Sequence, residues 1–176
     1  MPALAARLGV THSAIYYYFP TRADLVTAMA GQAMRRLEPP PREGRPWDEW
    51  LVDAGLTLRT LFLERPHTGD VVSLGAVVQG APFVEAIVTV MLEAGFTPEQ
   101  AVDAVQLVSA CSLGGAAAVR MQHVDTETNN ALMDEMQVAP DSPLRAVSQA
   151  LAEYDPESGF RRAMGVVIDG LRLRLG

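Results

Sequence analysis

The chain has 176 residues, 49% of them apolar and 6% aromatic, with 14 basic side chains (all arginine), 21 acids and a formal net charge of −7. This supports one or two domains with a substantial core, and the dominance of Ala, Leu and Val favours helices. A single cysteine, Cys111, excludes an intramolecular disulfide and suits a reducing cytoplasm, no secretory leader opens the sequence, and the least charged run, residues 71–92, is broken by Gly75, Gly80, Pro82 and Glu85, which argues against a membrane span.

Charge is unevenly spread. Residues 1–37 carry Arg7, Arg22, Arg35 and Arg36 against Asp24 alone, a net of +3, while the remainder carries 10 arginines and 20 acids. A basic head on an acidic body points to a polyanion that meets only the head; chance clustering of four arginines is the other reading.

Leu4 and Leu8 share one face of a first helix, with Pro2 tolerated in its first turn. Gly9 predicts a left-handed C-cap and Thr11 the N-cap of a second helix. In that helix Ile15 and Phe19 face inward with Tyr18 nearby, while His12, Ser13, Tyr16 and Tyr17 point outward. Ala5 is small where the two helices cross. The pattern is a helix-turn-helix whose second helix offers its N-terminal residues to base edges and its tyrosine hydroxyls to phosphates. For Tyr18, a place in the head's core is an equal reading. Phe19-Pro20 ends this helix, and Thr21 caps a longer one from Arg22 to about Leu37, with Arg22 placed to touch backbone phosphate.

The run EPPPREGRPW predicts a stiff boundary, dividing a head at 1–37 from a linker at 38–46 and a body at 47–176. Trp47, Trp50, Leu51, Ala54, Leu58, Leu61 and Phe62 form an apolar stripe on a helix ending at Arg65-Pro66. One or two helices are expected between His67 and Gln79, and another from Pro82 to Ala94, stopped by Gly95. A long helix starts at Thr97-Pro98-Glu99-Gln100 with a capping box and runs to about Val119. DTETNN reads as a polar loop before a short helical piece and VAPDSP as a break; helices follow at about Pro143–Tyr154 and Glu157–Leu173. The fold class is all-α.

Ala110, Gly114 and Ala118 give the long helix a small-residue face that another helix can approach closely. The last helix carries two apolar stripes, Phe160-Met164-Val167-Leu171 and Ala163-Val166-Gly170-Leu173. Two apolar faces need two partners, which favours a dimer over a monomer with a fully internal helix. Other motifs carry no chemistry. His67 and His123 lack partners at zinc spacing. Asp125, Glu127 and Asn129 begin like a calcium loop, but Asn130 stands at its glycine and Met136 at its glutamate. Cys111 sits in an apolar helix without a nearby base. No phosphate-cradling loop or nucleophile–base arrangement occurs, so no enzyme, metal or cofactor is expected.

The segment LAARLGVTHSAIYYYFPTRADLVTAMA resembles the DNA-binding segment of the TetR (tetracycline-repressor-like) family of bacterial transcription regulators, through its Gly-Val, its aromatic run closing in Phe-Pro, and Arg-Ala-Asp-Leu-Val. The resemblance implies duplex operator DNA as partner, contacted by Thr11, His12, Ser13, Ala14, Tyr16, Tyr17, Tyr18 and Arg22. Family members carry a further helix ahead of this motif, which would cover Leu4, Leu8, Ile15 and Leu25, so the chain as given is expected to bind DNA poorly until such a helix is restored.

The body is similar, less closely per residue, to the ligand-binding domain of the tetracycline-repressor class from about Trp47 to Leu175, through EAGFTPEQAVDAVQLVS, SLGG, SPLRAV and FRRAMGVVIDGLRLRL. This implies a homodimer through the long and last helices, with Ala110, Gly114, Ala118, Ala163, Val167, Gly170 and Leu171 at the interface. Where tetracycline-binding members hold a magnesium-chelated drug with Asn, an aromatic ring, His, Glu and Gln, this sequence has Ala54, Leu58, Val72 or Ser73, Ala118 and Ile87. An apolar or aromatic small-molecule effector without metal is therefore expected, in a cavity lined by Leu58, Phe62, Phe83, Ile87, Met91, Val105 and Ser109; taken singly, each reads more readily as an ordinary core residue. The implied function is a cytoplasmic, ligand-responsive DNA-binding transcription regulator, a repressor released from its operator by the effector. The alternative is a ligand-binding dimer that has lost DNA binding with its first helix.

Overall fold

The computed structural model describes residues 2–65, 81–121 and 126–175. Among them are nine helices and no strand: α1 (Pro2–Leu8), α2 (His12–Tyr18), α3 (Arg22–Arg35), α4 (Trp47–Glu64), α5 (Ala81–Glu93), α6 (Pro98–Met121), α7 (Thr126–Glu135), α8 (Pro143–Ala152) and α9 (Pro156–Arg172). The helices expected at His67–Gln79 lie outside the described residues, as do His67, Val72, Ser73, His123 and Asp125.

Local chemistry builds the head. Gly9 adopts φ +67°; the Val10 N–H donates to Ala5 O at 3.1 Å and the Gly9 N–H to Ala6 O at 3.3 Å, which satisfies carbonyls that α1 leaves open. The Thr11 hydroxyl accepts from the Ala14 N–H at 3.2 Å and so starts α2. Thr21 starts α3 through a capping box: its hydroxyl accepts from the Asp24 N–H at 3.1 Å, and the Asp24 carboxylate accepts from the Thr21 N–H at 2.8 Å. Ala5 and Ile15 are buried where α1 crosses α2; Leu4 and Leu25 are half-buried and Leu8 is exposed.

The far end of α3 belongs to the body. Ala33 is buried in the body's apolar cluster, and Met34 and Leu37 pack against it. The linker is also tied down. The Trp50 indole Nε1 donates to Pro40 O at 2.8 Å, Arg45 pairs with Asp53 at 2.7 Å, and Arg42 approaches Glu93 at 3.9 Å.

In the body, α4 packs against α5, α6 and α9, and α6 packs against α5 and α9. The core runs through Trp50, Leu51, Phe83, Ile87, Met91 and Met164, all fully enclosed. At the α4–α6 contact the buried Ser112 hydroxyl donates to Gly55 O at 2.9 Å. The start of α6 is the expected capping box: the Thr97 N–H donates to Gln100 Oε1 at 2.8 Å, and the Gln100 N–H donates to Thr97 Oγ1 at 3.3 Å. Gly95, at φ +96°, turns the chain between α5 and α6.

Two expectations are corrected. Residues 126–130, read as polar loop, form the first half of α7. That helix packs on α8: Asn129 Nδ2 donates to the buried Ser148 hydroxyl, and Arg145 pairs with Asp134 at 2.6 Å and donates to Val138 O at 2.7 Å. Tertiary pairing here overrides weak local propensity. On α9 the inner stripe is Phe160, Met164, Ile168 and Leu171, with Val167 only half-buried beside it. Spacings of four, four and three keep that set on one face.

Replacing Trp50 with Phe keeps a ring in the core but removes the donor to Pro40. The expected cost in urea unfolding is about 1–2 kcal/mol, with faster tryptic cleavage after Arg42 in the native protein. Unchanged cleavage would show that other contacts hold the linker.

Candidate nucleic-acid interface and effector cavity

Only one side chain of α2, Ile15, is buried. Thr11, His12, Ser13 and Arg22 are exposed and Ala14 is half-buried, while Tyr16, Tyr17 and Tyr18 are 38%, 82% and 74% exposed. Tyr18 is therefore not part of the head's core. The rings order one another: His12 meets Tyr16 edge-on with centroids 4.7 Å apart, and Tyr17 meets Tyr18 likewise at 5.2 Å. The outward face thus joins hydroxyl donors suited to phosphate with His12 and Ser13 at the helix start, where side chains reach base edges. Arg7 and Arg22 are exposed and form no ion pair among the described residues. Nothing within the head competes with a phosphate for them.

In the body, Leu58 and Phe62 of α4 and Phe83, Ile87 and Met91 of α5 are all at most 3% exposed and lie in one apolar cluster with α6. Val105 packs against that cluster half-buried, and Ser109 is half-buried on the same helix. Ala54 is fully buried and Ala118 exposed. Among the described residues no three His, Cys, Asp or Glu come together as a metal site. Burial pushes the Cys111 thiol above its ordinary pKa, which disfavours the reactive thiolate. A cleft of about 430 Å³ separates the last turn of α3 from α4, with Arg36, Glu38, Thr57, Thr60, Glu64 and Arg65 on its walls. Ala33, Leu37 and Leu61 line the same cleft, so polar and apolar side chains meet at the joint between head and body.

A third region is the outer face of α6 and α9. Ala110, Gly114, Ala118, Ala163 and Gly170 are exposed, beside Val166 and Leu173 at 74% and 87%. Leu171, expected on this face, is 1% exposed and points into the core, because three residues after Ile168 it shares that residue's inward face. Sequence reasoning missed one residue altogether. Arg59 is 7% exposed inside α4, with its guanidinium carbon 5.4 Å from the centroid of the Phe160 ring. Its only sequence signal is a charge inside the apolar run from Leu58 to Phe62, and such arginines ordinarily snorkel to water.

Residues 1–29 match the pattern of "Bacterial regulatory proteins, tetR family". Over 182 residues the chain is 29% identical to the tetracycline repressor protein class A from transposon 1721 of Escherichia coli, covering 97% of this chain and 80% of that protein. Its fold is similar to that of the Streptomyces coelicolor TetR family protein ActR, solved in complex with actinorhodin, with a TM-score of 0.77, 18% identity and coverage of 100% of this chain and 88% of that one. It is also similar to TetR-Q116A from Acinetobacter baumannii AYE, solved in complex with minocycline, with a TM-score of 0.69, 23% identity and coverage of 99% and 84%. The helix-turn-helix, the all-helical body and these likenesses agree: residues 1–29 carry the tetR-family pattern, the rest is similar to tetracycline-repressor-like proteins, and the chain is a ligand-responsive, DNA-binding regulator of transcription.

Proposed function

We propose that the protein is a homodimeric cytoplasmic repressor that binds operator DNA through α2 and leaves it when an apolar or aromatic small molecule, bound without metal, enters the body. The observation that carries this reading is the outward face of α2. A short helix that exposes His12, Ser13 and three tyrosines, on a head with two unpaired arginines, has no use in a monomeric core and suits a phosphate-lined groove. The relatives solved with actinorhodin and minocycline support a small-molecule effector. The replacement of polar by apolar side chains at Ala54, Leu58, Ile87 and Ala118 supports one held without a metal chelate.

The route from effector to DNA runs through α3. Its N-terminal end, capped by Thr21, follows the recognition helix after three residues, and its C-terminal end is packed in the body's core through Ala33. A shift of α4 therefore tilts the head, and an effector that binds the tilted state better shifts the population away from DNA. Dimerisation supplies the second head. α6 is long and apolar, yet only 22% of its most apolar 18-residue stretch is buried within one chain. Its small residues and the outer stripe of α9 suit a second copy, with Ala110, Gly114, Ala118, Ala163, Val167 and Gly170 at the contact and Val166 and Leu173 in the place first given to Leu171.

Three outcomes test this reading. Space beside Gly114 is open, with no atom within 4 Å of a Cβ built there. Gly114→Leu should therefore leave the folding of one chain intact while weakening the dimer by about 1–3 kcal/mol, read as a lower mass in light scattering. A monomeric wild type at micromolar concentration would refute the dimer. On DNA from upstream of its own gene, Arg22→Ala should weaken binding across all sequences and lower the salt slope by about one, while His12→Ala should cost about 1–3 kcal/mol on the operator only. Equal losses on operator and random DNA for both variants would remove His12 from base readout. Effector binding, followed by calorimetry, should show a negative heat-capacity change and be unaffected by EDTA; loss of binding in EDTA would restore a metal to the site.

A further inference from the structure

We propose that Arg59 is a socket for a carboxylate brought by a second copy of this chain; the proposal rests on the homodimer reading above and deepens it. The side chain starts on α4 and passes α6 at Gly115, where a Cβ would stand 3.4 Å from both its Cδ and its Nε. It ends against the ring of Phe160 on α9, 5.4 Å from the centroid. It therefore threads between the two helices whose outer faces are left uncovered. Gly115 is what lets it through: a Cβ there would also lie 2.8 Å from the Phe160 ring.

At its destination the cation is not neutralised. Arg59 is more than nine-tenths buried, its Nε is fully enclosed without a hydrogen-bond partner, and no carboxylate pairs with it among the described residues. The face of Phe160 offers a cation–π contact but no acceptor for the five N–H donors. In a single chain, the residual 7% exposure leaves water a narrow approach. A second copy seated on α6 and α9 closes that approach, and an unpaired guanidinium sealed from water is not tolerated. The closing surface must therefore carry an anion. The chain has carboxylates to spare, with 20 acids against 10 arginines beyond residue 37, and Glu127, Glu135 and Glu153 are exposed without an ion pair among the described residues. The arginine fork, fixed on the Phe160 ring, then sets the register of the two copies as well as binding them.

The test compares wild type with Arg59→Met, which keeps length without charge, and Arg59→Lys, which keeps charge without the fork. Sedimentation equilibrium should show Arg59→Met dimerising at least about tenfold more weakly at unchanged helical content, because the facing carboxylate is left buried and unpaired, with Arg59→Lys partly restored. Dimerisation of Arg59→Met as tight as wild type, or tighter, overturns the proposal, whereas a monomeric wild type overturns the dimer reading itself. If Arg59→Met fails to fold, arginine-labelled nuclear magnetic resonance on wild type and on Gly114→Leu decides instead. A carboxylate grip should slow rotation of the Arg59 guanidinium in the dimer and not in the interface variant; free rotation in both overturns the proposal.

Discussion

The structure depends on how closely α9 and α6 approach α4. A Cβ at Gly55 would lie 3.2 Å from the Phe160 ring and 3.3 Å from Met164, so the first turns of α9 lie directly on the α4 backbone. One turn of α6 away, the Ser112 hydroxyl donates to Gly55 O, so the same residue accepts a helix on one side and a hydrogen bond on the other. Interiors are packed to near-crystalline density, and a contact this tight has few alternative arrangements. α4 thereby becomes a fixed wall, with α5, α6 and α9 packed on it in one apolar cluster that the end of α3 joins through Ala33.

That wall links the two halves of the molecule. The side of α4 that carries Leu58 and Phe62 meets α5, where an effector would push, while Thr57, Thr60 and Glu64 border the cleft toward α3. Ala33, Met34 and Leu37 pack the end of α3 against the body's apolar cluster, so on the proposed route they carry a movement of α4 to the head.

Most of the local structure was legible because it is written in caps. Gly9, Thr11, Thr21 and the Thr97–Gln100 box each act on backbone groups within a few residues, so their meaning survives without knowledge of the fold. The outward face of α2 was legible for the same reason, since Ile15 fixes which way a seven-residue helix points. What failed depended on distant partners. The TETNN stretch looks like loop until Ser148 on α8 arrives to meet Asn129. The inner stripe of α9 was off by one residue at 167 and 168, because Val, Val and Ile in succession offer no contrast to choose between neighbouring faces. Arg59 was invisible because a charge in a helix is normally read as solvent-facing; only the gap at Gly115 and the ring of Phe160 reveal where it goes.

On the proposed route α3 works as a lever only because its far end is seated in the body's core. Native-state hydrogen exchange of the whole protein tests it directly. The amides of residues 33–37 should exchange with the same free energy of opening as those of α4, while α1 and α2 exchange at lower cost. If residues 33–37 instead open with α1 and α2, independently of α4, the head is merely tethered and the account of how an effector reaches DNA is wrong.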